Sequence, residues 1–306
     1  MTWIIIAIFS YFLLALTALG DDYLLSGPPE PKSYTFFVNA PGILLLLLVP
    51  FIGFVVPNPN QILLAILAGG TGVFACFFLY SALEQFEASR VIPAIGGALP
   101  LFTMGIVYAL SKGNINFSSK DLIAFLLLVV GSILISVKRG KTISFKSFVF
   151  SALAAFLFSL SFVLMKSLYS ELPFWTTLII SRVGAFLISL LFLFDQGVMA
   201  AVFQKKPTFE KKTGIIFLAN QGVGTLASLL QNWAVAIAPI SYLAIINALE
   251  GTRYVFLFGL SILLSAKFSK IAEEKISKEN ILQKTIAILI IISGLVLLAI
   301  SISSQN

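Results

Sequence analysis

"QILLAILAGGTGVFACFFLYSALEQFEASRVIPAIGGALPLFTMGIVYAL" runs from Gln61 to Leu110, and its only charges lie in "EQFEASR" at Glu84–Arg90. As one helix it would be about 75 Å long, more than twice the roughly 30 Å hydrocarbon layer of a bilayer. It therefore folds back at the charged joint and crosses twice. The same reasoning divides the apolar stretch from Gly214 to Ala266 at "AIAPIS", Ala236–Ser241.

Composition names the solvent. Hydrophobic residues make up 59% of the 306 and charged ones only 11%, which no soluble domain of this size shows. With the two joints resolved, ten spans are predicted: Thr2–Leu19, Tyr34–Val49, Gln61–Leu83, Ala88–Leu110, Leu122–Val137, Ser147–Leu168, Phe174–Phe194, Gly214–Ile237, Ile240–Ala266 and Ile281–Ser301. A cleaved signal peptide is the alternative for the first, given the small residues of "ALTA". No Lys or Arg precedes it, which argues for a retained span.

Several chemistries lack their parts. The chain has no histidine, one cysteine (Cys76) and four aspartates, so neither a disulfide framework nor a His/Cys metal site is expected. No phosphate-binding Gly-rich loop ending in Lys-Ser/Thr occurs. "LGDD" at Leu19–Asp22 has no aspartate partner in a second span. An enzyme using Glu250 as a base would lack a nucleophile or metal, so no enzyme and no cofactor are expected. The net charge of +7 does not indicate nucleic acid, because the basic residues sit in short loops beside apolar runs. Fifteen of them (Lys32, Arg90, Lys138, Arg139, Lys141, Lys146, Lys205, Lys206, Lys211, Lys212, Lys267, Lys270, Lys275, Lys278, Lys284) fall on one side and two (Lys112, Lys120) on the other. This asymmetry predicts a bacterial cytoplasmic (inner) membrane protein with basic loops in the cytoplasm and both termini outside.

Sliding the chain by 152 residues pairs Gly70 with Gly222, Gly72 with Gly224, Ala75 with Ala227, Ala82 with Ala234 and Ser89 with Ser241. The offset also superposes the two tight joints, and "VVGSILIS" near Val129 echoes "ISGLVLLAIS" near Ile292. Five spans per half is an odd number, so the halves, 1–140 and 141–306, are inverted relative to each other.

Two stretches, "YSALEQFEASRVIPAIGGALPLFTMGIVYAL" and "NWAVAIAPISYLAIINALEGTRYVFLFGLSILL", make the chain resemble EamA-type members of the drug/metabolite transporter superfamily over nearly its whole length. "ALPLF" at Ala98–Phe102 fits the family pattern, and "ALEG" at Ala248–Gly251 is similar to its second-half ALEP with glycine for proline. The resemblance implies an all-α membrane protein of ten transmembrane helices, arranged as two inverted five-helix repeats around a central cavity lined mainly by spans 3, 4, 8 and 9. It also implies export or exchange of a small organic solute, and cytoplasmic ends, the reverse of what the basic loops predict.

Within span 9, Glu250 and Arg253 lie near mid-membrane, where each isolated charge costs roughly 2.5–3.5 kcal/mol on insertion scales. At i,i+3 they reach each other and share a helix face with Asn247 and Tyr254. A structural ion pair is one reading. The preferred one is a solute site, with Arg253 offering a planar fork to a carboxylate and Glu250 an amine or proton partner. In span 8, Gln221, Thr225, Ser228 and Asn232 form a polar stripe, answered at the same offset by Cys76 and Tyr80 in span 3; helix-to-helix hydrogen bonding is the alternative. Gly69, Gly70, Gly72, Gly222 and Gly224 are close-packing positions, and Pro93, Gly96, Gly97 and Pro100 offer a bend. Lys166 and Arg182, within a turn or two of span ends, are expected to snorkel to the interface, with a site role for either as the alternative. Glu84, Glu87 and Arg90 form a solvated turn or a gate. Asn39 and Pro41 hint at a break in span 2.

The expected partners are the lipid bilayer, a small-molecule substrate and coupled protons or a counter-substrate; nothing in the sequence sets an oligomeric state. The expected function is alternating-access transport of a small polar or zwitterionic metabolite such as an amino acid. The alternatives are an antiporter of phosphorylated or nucleotide-linked sugars, for which Lys166 would have to face Arg253, and a non-transporting receptor or assembly subunit.

Overall fold

The computed structural model describes residues 2–25, 30–85, 88–113, 118–136, 145–203, 211–267 and 278–303. Lys138, Arg139, Lys141, Lys205, Lys206, Lys270, Lys275 and Glu87 lie outside the described residues, as does the side chain of Arg90. Almost every described residue is helical and none is in a strand. In chain order the helices are α1 (Thr2–Leu25), α2 (Pro31–Asn39, continuing as a 3-10 stretch Ala40–Phe51), α3 (Pro59–Gln85), α4 (Ala88–Leu110), α5 (Ser119–Ser136) and α6 (Phe145–Tyr169). There follow α7 (Phe174–Ser189, continuing as a 3-10 stretch Leu190–Phe194), α8 (Gln196–Phe203), α9 (Lys211–Ile237), α10 (Leu243–Ala248), α11 (Gly251–Lys267) and α12 (Lys278–Ser303).

Six stretches among the described residues are long and apolar enough to cross a membrane: Thr2–Gly20, Pro31–Phe51, Pro59–Gln85, Phe148–Tyr169, Phe174–Phe194 and Gly214–Ile237. Ala94–Leu110 and Leu282–Leu298 are shorter apolar helices. The outward surface fits hydrocarbon. On α12, Leu282, Ile286, Leu289, Ile292, Val296 and Ile300 form an exposed stripe, with Ala287, Ile291 and Leu298 buried behind it. Facing water, such a stripe would be an aggregation hazard; facing acyl chains it costs nothing. The long apolar helices together point to an integral membrane protein.

Two features depart from the expected spans. Span 9 is not one helix: α10 ends at Ala248, Leu249 and Glu250 form a turn, and α11 begins at Gly251. Backbone bonds tighten there to i→i+3, with the Glu250 amide donating to Asn247 O and the Arg253 amide to Glu250 O. A Cβ on Gly251 would stand 2.1 Å from Ser132 Oγ on α5, so only glycine lets the start of α11 approach that helix. The second departure is α8, an extra short helix whose first amides, Gly197 and Val198, donate to the Asp195 carboxylate.

Lipid gives apolar side chains no reason to cluster, so helices in membranes hold together by close approach and polar contacts. Both occur here. A Cβ on Gly69 would fall 2.2 Å from Ser181 O, and one on Gly184 would fall 2.6 Å from Ile66 Cα, which locks α3 to α7. Gly96 leaves room for the Tyr254 hydroxyl, and Gly97 for Ile133. Helix α1 packs on α9 and α11, while α6 packs on α3 and α4, so each sequence half lends its first helix to the other. Ser10 Oγ donates to Ala227 O (2.9 Å), and Ser161 Oγ to Ala68 O (2.7 Å), across the matching pairs. Helix α9 is the least enclosed of the six apolar stretches. Its apolar stretch is 6% buried against 44% for Phe174–Phe194, and Gly222 has nothing within reach of a Cβ.

Candidate functional site

Five elements surround a cavity of about 210 Å³, room for about seven waters. Asn39 comes from the end of α2, Gly72 and Cys76 from α3, Ser161 and Met165 from α6, Ser181 and Arg182 from α7, and Ser228, Gln231 and Asn232 from α9. Helices α4, α10 and α11 take no part in this lining; the resemblance implies spans 4 and 9, and here they pack on each other instead.

Arg182 is the one charged residue among those lining the cavity. It lies midway along α7, too deep to snorkel, so the interfacial position expected for it is corrected. Its Nη2 donates to Ser228 Oγ at 2.7 Å, and Gly42 on the 3-10 continuation of α2 leaves space for the arginine stem. The Asn232 amide donates to Ser228 O (2.8 Å), and its oxygen accepts from the Tyr169 hydroxyl (3.1 Å). The guanidinium thus has a hydroxyl partner and no carboxylate among the lining residues, which leaves most of its five donors for a guest.

Aromatic clusters flank the cavity at both ends. Beside Asn232, Tyr169 stacks on Phe174 at 5.4 Å and Phe174 meets Trp233 at 4.7 Å. One turn beyond Cys76, Tyr80 meets Tyr34 at 4.7 Å, and Tyr34 meets Phe217 at 6.4 Å. The expected site residue Tyr80 therefore stands next to the cavity and does not line it.

Glu250 and Arg253 form a second charged centre. Arg253 Nη1 and Glu250 Oε1 are 3.4 Å apart, with side chains 18% and 14% exposed. Arg253 Nε is buried without a partner among the described residues. Asn247 and Tyr254, expected beside the pair, are turned onto α4. Asn247 Nδ2 donates to Thr103 Oγ1 (2.8 Å) and the Tyr254 hydroxyl to Ile92 O (3.1 Å). Tyr254 nonetheless stays close enough to interact with both Glu250 and Arg253. Of the span 8 stripe, Ser228 and Asn232 reach the cavity. Gln221 does not line it, and its carbonyl accepts from Thr225 Oγ1 (2.7 Å).

Gln231 joins the two centres. It lines the cavity, and its Nε2 donates to the Tyr11 hydroxyl at 3.3 Å; Tyr11, 1% exposed, donates in turn to Ile246 O at 2.9 Å, one turn before Glu250. Neither residue stands out in the sequence, since a tyrosine and a glutamine from spans 220 residues apart carry no shared pattern. Arg182 had a usable sign, its mid-span position. Lys166 is 7% exposed and donates to Ala236 O at 2.9 Å, tying α6 to the last turn of α9 rather than facing Arg253. Among the described residues no cluster of possible metal ligands occurs.

No protein-family model matches the chain, and no curated protein does. A solved crystal structure superposes with a TM-score of 0.68 over 97% of this chain and 97% of its own, at 14% identity. A likeness at that identity concerns the fold alone.

Proposed function

We propose that the protein is a secondary transporter of the EamA type that moves a small carboxylate-bearing solute, such as an amino acid, by alternating access. In this reading ten crossings, with α10 and α11 counted as one broken span, form inverted halves 1–140 and 141–306. Three features support it. The halves exchange α1 and α6; α2 and α7 both pass from α to 3-10 partway along; and α3 is packed closely on both α6 and α7 while its counterpart α9 packs closely on α1 alone. Tight packing of one and slack packing of the other suits a fold with two alternative closures.

The observation that carries the reading is a half-buried guanidinium, with one hydroxyl partner, facing a cavity midway along the apolar helix α7. A charge kept there without a carboxylate partner is a mark of function. Its fork matches a carboxylate, and the volume lies below the roughly 300–1,000 Å³ of drug-sized pockets, which favours a small solute. A phosphorylated or nucleotide-linked sugar would need more room and a second cation, and Lys166 is held elsewhere. The basic loops put those loops in the cytoplasm of a bacterial cell, and an impermeant thiol reagent on a cysteine introduced near Lys206 tests that orientation.

The functional test is counterflow in proteoliposomes with a panel of labelled L-amino acids, small mono- and dicarboxylates and hexose phosphates. The expected result is exchange of a small carboxylate by wild type, with affinity about ten- to a hundredfold weaker in Arg182→Leu, the worth of one charge-assisted hydrogen-bonded contact. Wild-type exchange by Arg182→Leu, or no exchange of any panel member, would overturn the reading.

A further inference from the structure

We infer that Glu250 is a proton-binding site separate from the solute cavity, and that Tyr11 and Gln231 couple the two; the inference rests on the transport reading above. Glu250 sits at the turn between α10 and α11, where the backbone hydrogen bonds tighten to i→i+3. Broken helices at membrane depth are tolerated where they serve an ion or a solute. The carboxylate does not line the cavity, so it is not a direct solute ligand in this conformation.

Its surroundings suit a single exchangeable proton. Among the described residues, the titratable or charged groups around it are Arg253 and Tyr254 on the helix that follows and Tyr11 on α1. The elements packed round the break present Thr103 (α4), Ser132 (α5), Gln231 (α9) and Ile291 (α12), none of which ionises. The pair is loose at 3.4 Å and single-pronged, and Arg253 Nε lacks a partner among the described residues, so the arginine does not lock the carboxylate in a bidentate grip.

With Glu250 ionised, the pair is neutral. When Glu250 takes a proton from water on one face, the resulting acid no longer balances Arg253, and the centre carries one positive charge. An anion in the cavity, reached through Gln231 and Tyr11, compensates that charge. Protonation and carboxylate binding therefore favour each other, and by linkage the effect is reciprocal. When the other face opens, Glu250 returns the proton to water and the solute leaves; no covalent bond in the solute changes. Proton and anion travel in the same direction.

Infrared difference spectroscopy of the reconstituted protein on acidification reads the proton directly. The expected result is a carboxylic-acid band in wild type and in Arg182→Leu that is missing in Glu250→Gln. With the carboxylate found by the counterflow panel, Glu250→Gln keeps counterflow but loses accumulation driven by an imposed pH gradient, and Tyr11→Phe keeps the band and counterflow with weakened accumulation. A band that persists in Glu250→Gln, or undiminished gradient-driven accumulation in that variant, would overturn the inference. Failure of Arg182→Leu to impair exchange strikes the solute site and leaves the band untouched, so the two failures are distinguishable.

Discussion

Arg182 and Arg253 are both guanidinium groups on apolar helices, yet they are held in opposite ways. Arg182 sits on an unbroken helix, shares one hydrogen bond with a serine and faces open space. Arg253 sits just past a helix break, has a carboxylate three residues away and lies off that cavity. One charge has a carboxylate partner; the other has a serine hydroxyl and faces a cavity. Position in the bilayer, which makes both expensive, therefore does not say what either does. The partner does.

The largest effect that bears on this contrast is structural. Arg253→Leu strands the Glu250 carboxylate, and removing one partner of a buried pair costs about 3–5 kcal/mol. Thermal unfolding in detergent is expected to show a large loss for Arg253→Leu and a much smaller one for Glu250→Gln/Arg253→Leu together. Equal losses would mean that the two are not a pair. Arg182→Lys comes next: it keeps charge and loses the fork, so stability holds while solute affinity in counterflow falls about tenfold. A lysine that served as well would reduce Arg182 to a point charge.

Backbone fit at the break is the third handle. Gly251→Ala puts a methyl group against Ser132, and overpacking of this kind costs about 1–3 kcal/mol. Ser132→Ala is expected to recover part of that loss in a double-mutant cycle. Gly222→Ala on α9, with nothing near it, is expected to stay within about 0.5 kcal/mol of wild type. The smallest effect concerns the surface bridge between Lys32 Nζ and Asp195 Oδ2, 2.5 Å apart, which ties α2 to the turn after α7. The hydrogen bond from Lys32 holds the Asp195 carboxyl below its usual range. Its contribution is therefore present at neutral pH and fades as acid takes the pH down through the ordinary carboxylate range to the lowered folded-state value. Asp195→Asn is expected to flatten only that acid limb of the unfolding profile.

Much of the fold is legible in the apolar runs, because a bilayer fixes how long a helix can be before it must turn. Gln61–Leu110 shows this, separating into α3 and α4 at the charged joint. The break at Leu249–Glu250 is not legible that way. Span 9 is evenly apolar around it, and the close approach of α5 to Gly251 beside the break is a contact between distant parts of the chain. The candidate site divides along the same line. The Glu250–Arg253 pair follows from an i,i+3 spacing, whereas Arg182 with Ser228, and Gln231 with Tyr11, meet only after three helices have packed. Local spacing reveals local partners; a cavity is made of remote ones.

Cys76, the chain's single cysteine, lines the cavity and supplies a native reporter of its occupancy. Its rate of alkylation by N-ethylmaleimide in membranes, measured with and without the carboxylate selected by the counterflow panel, tests most directly whether solute binds beside Arg182. The account expects that carboxylate to slow labelling in wild type and to leave it unchanged in Arg182→Leu. Equal protection in both proteins, or none in either, would contradict it.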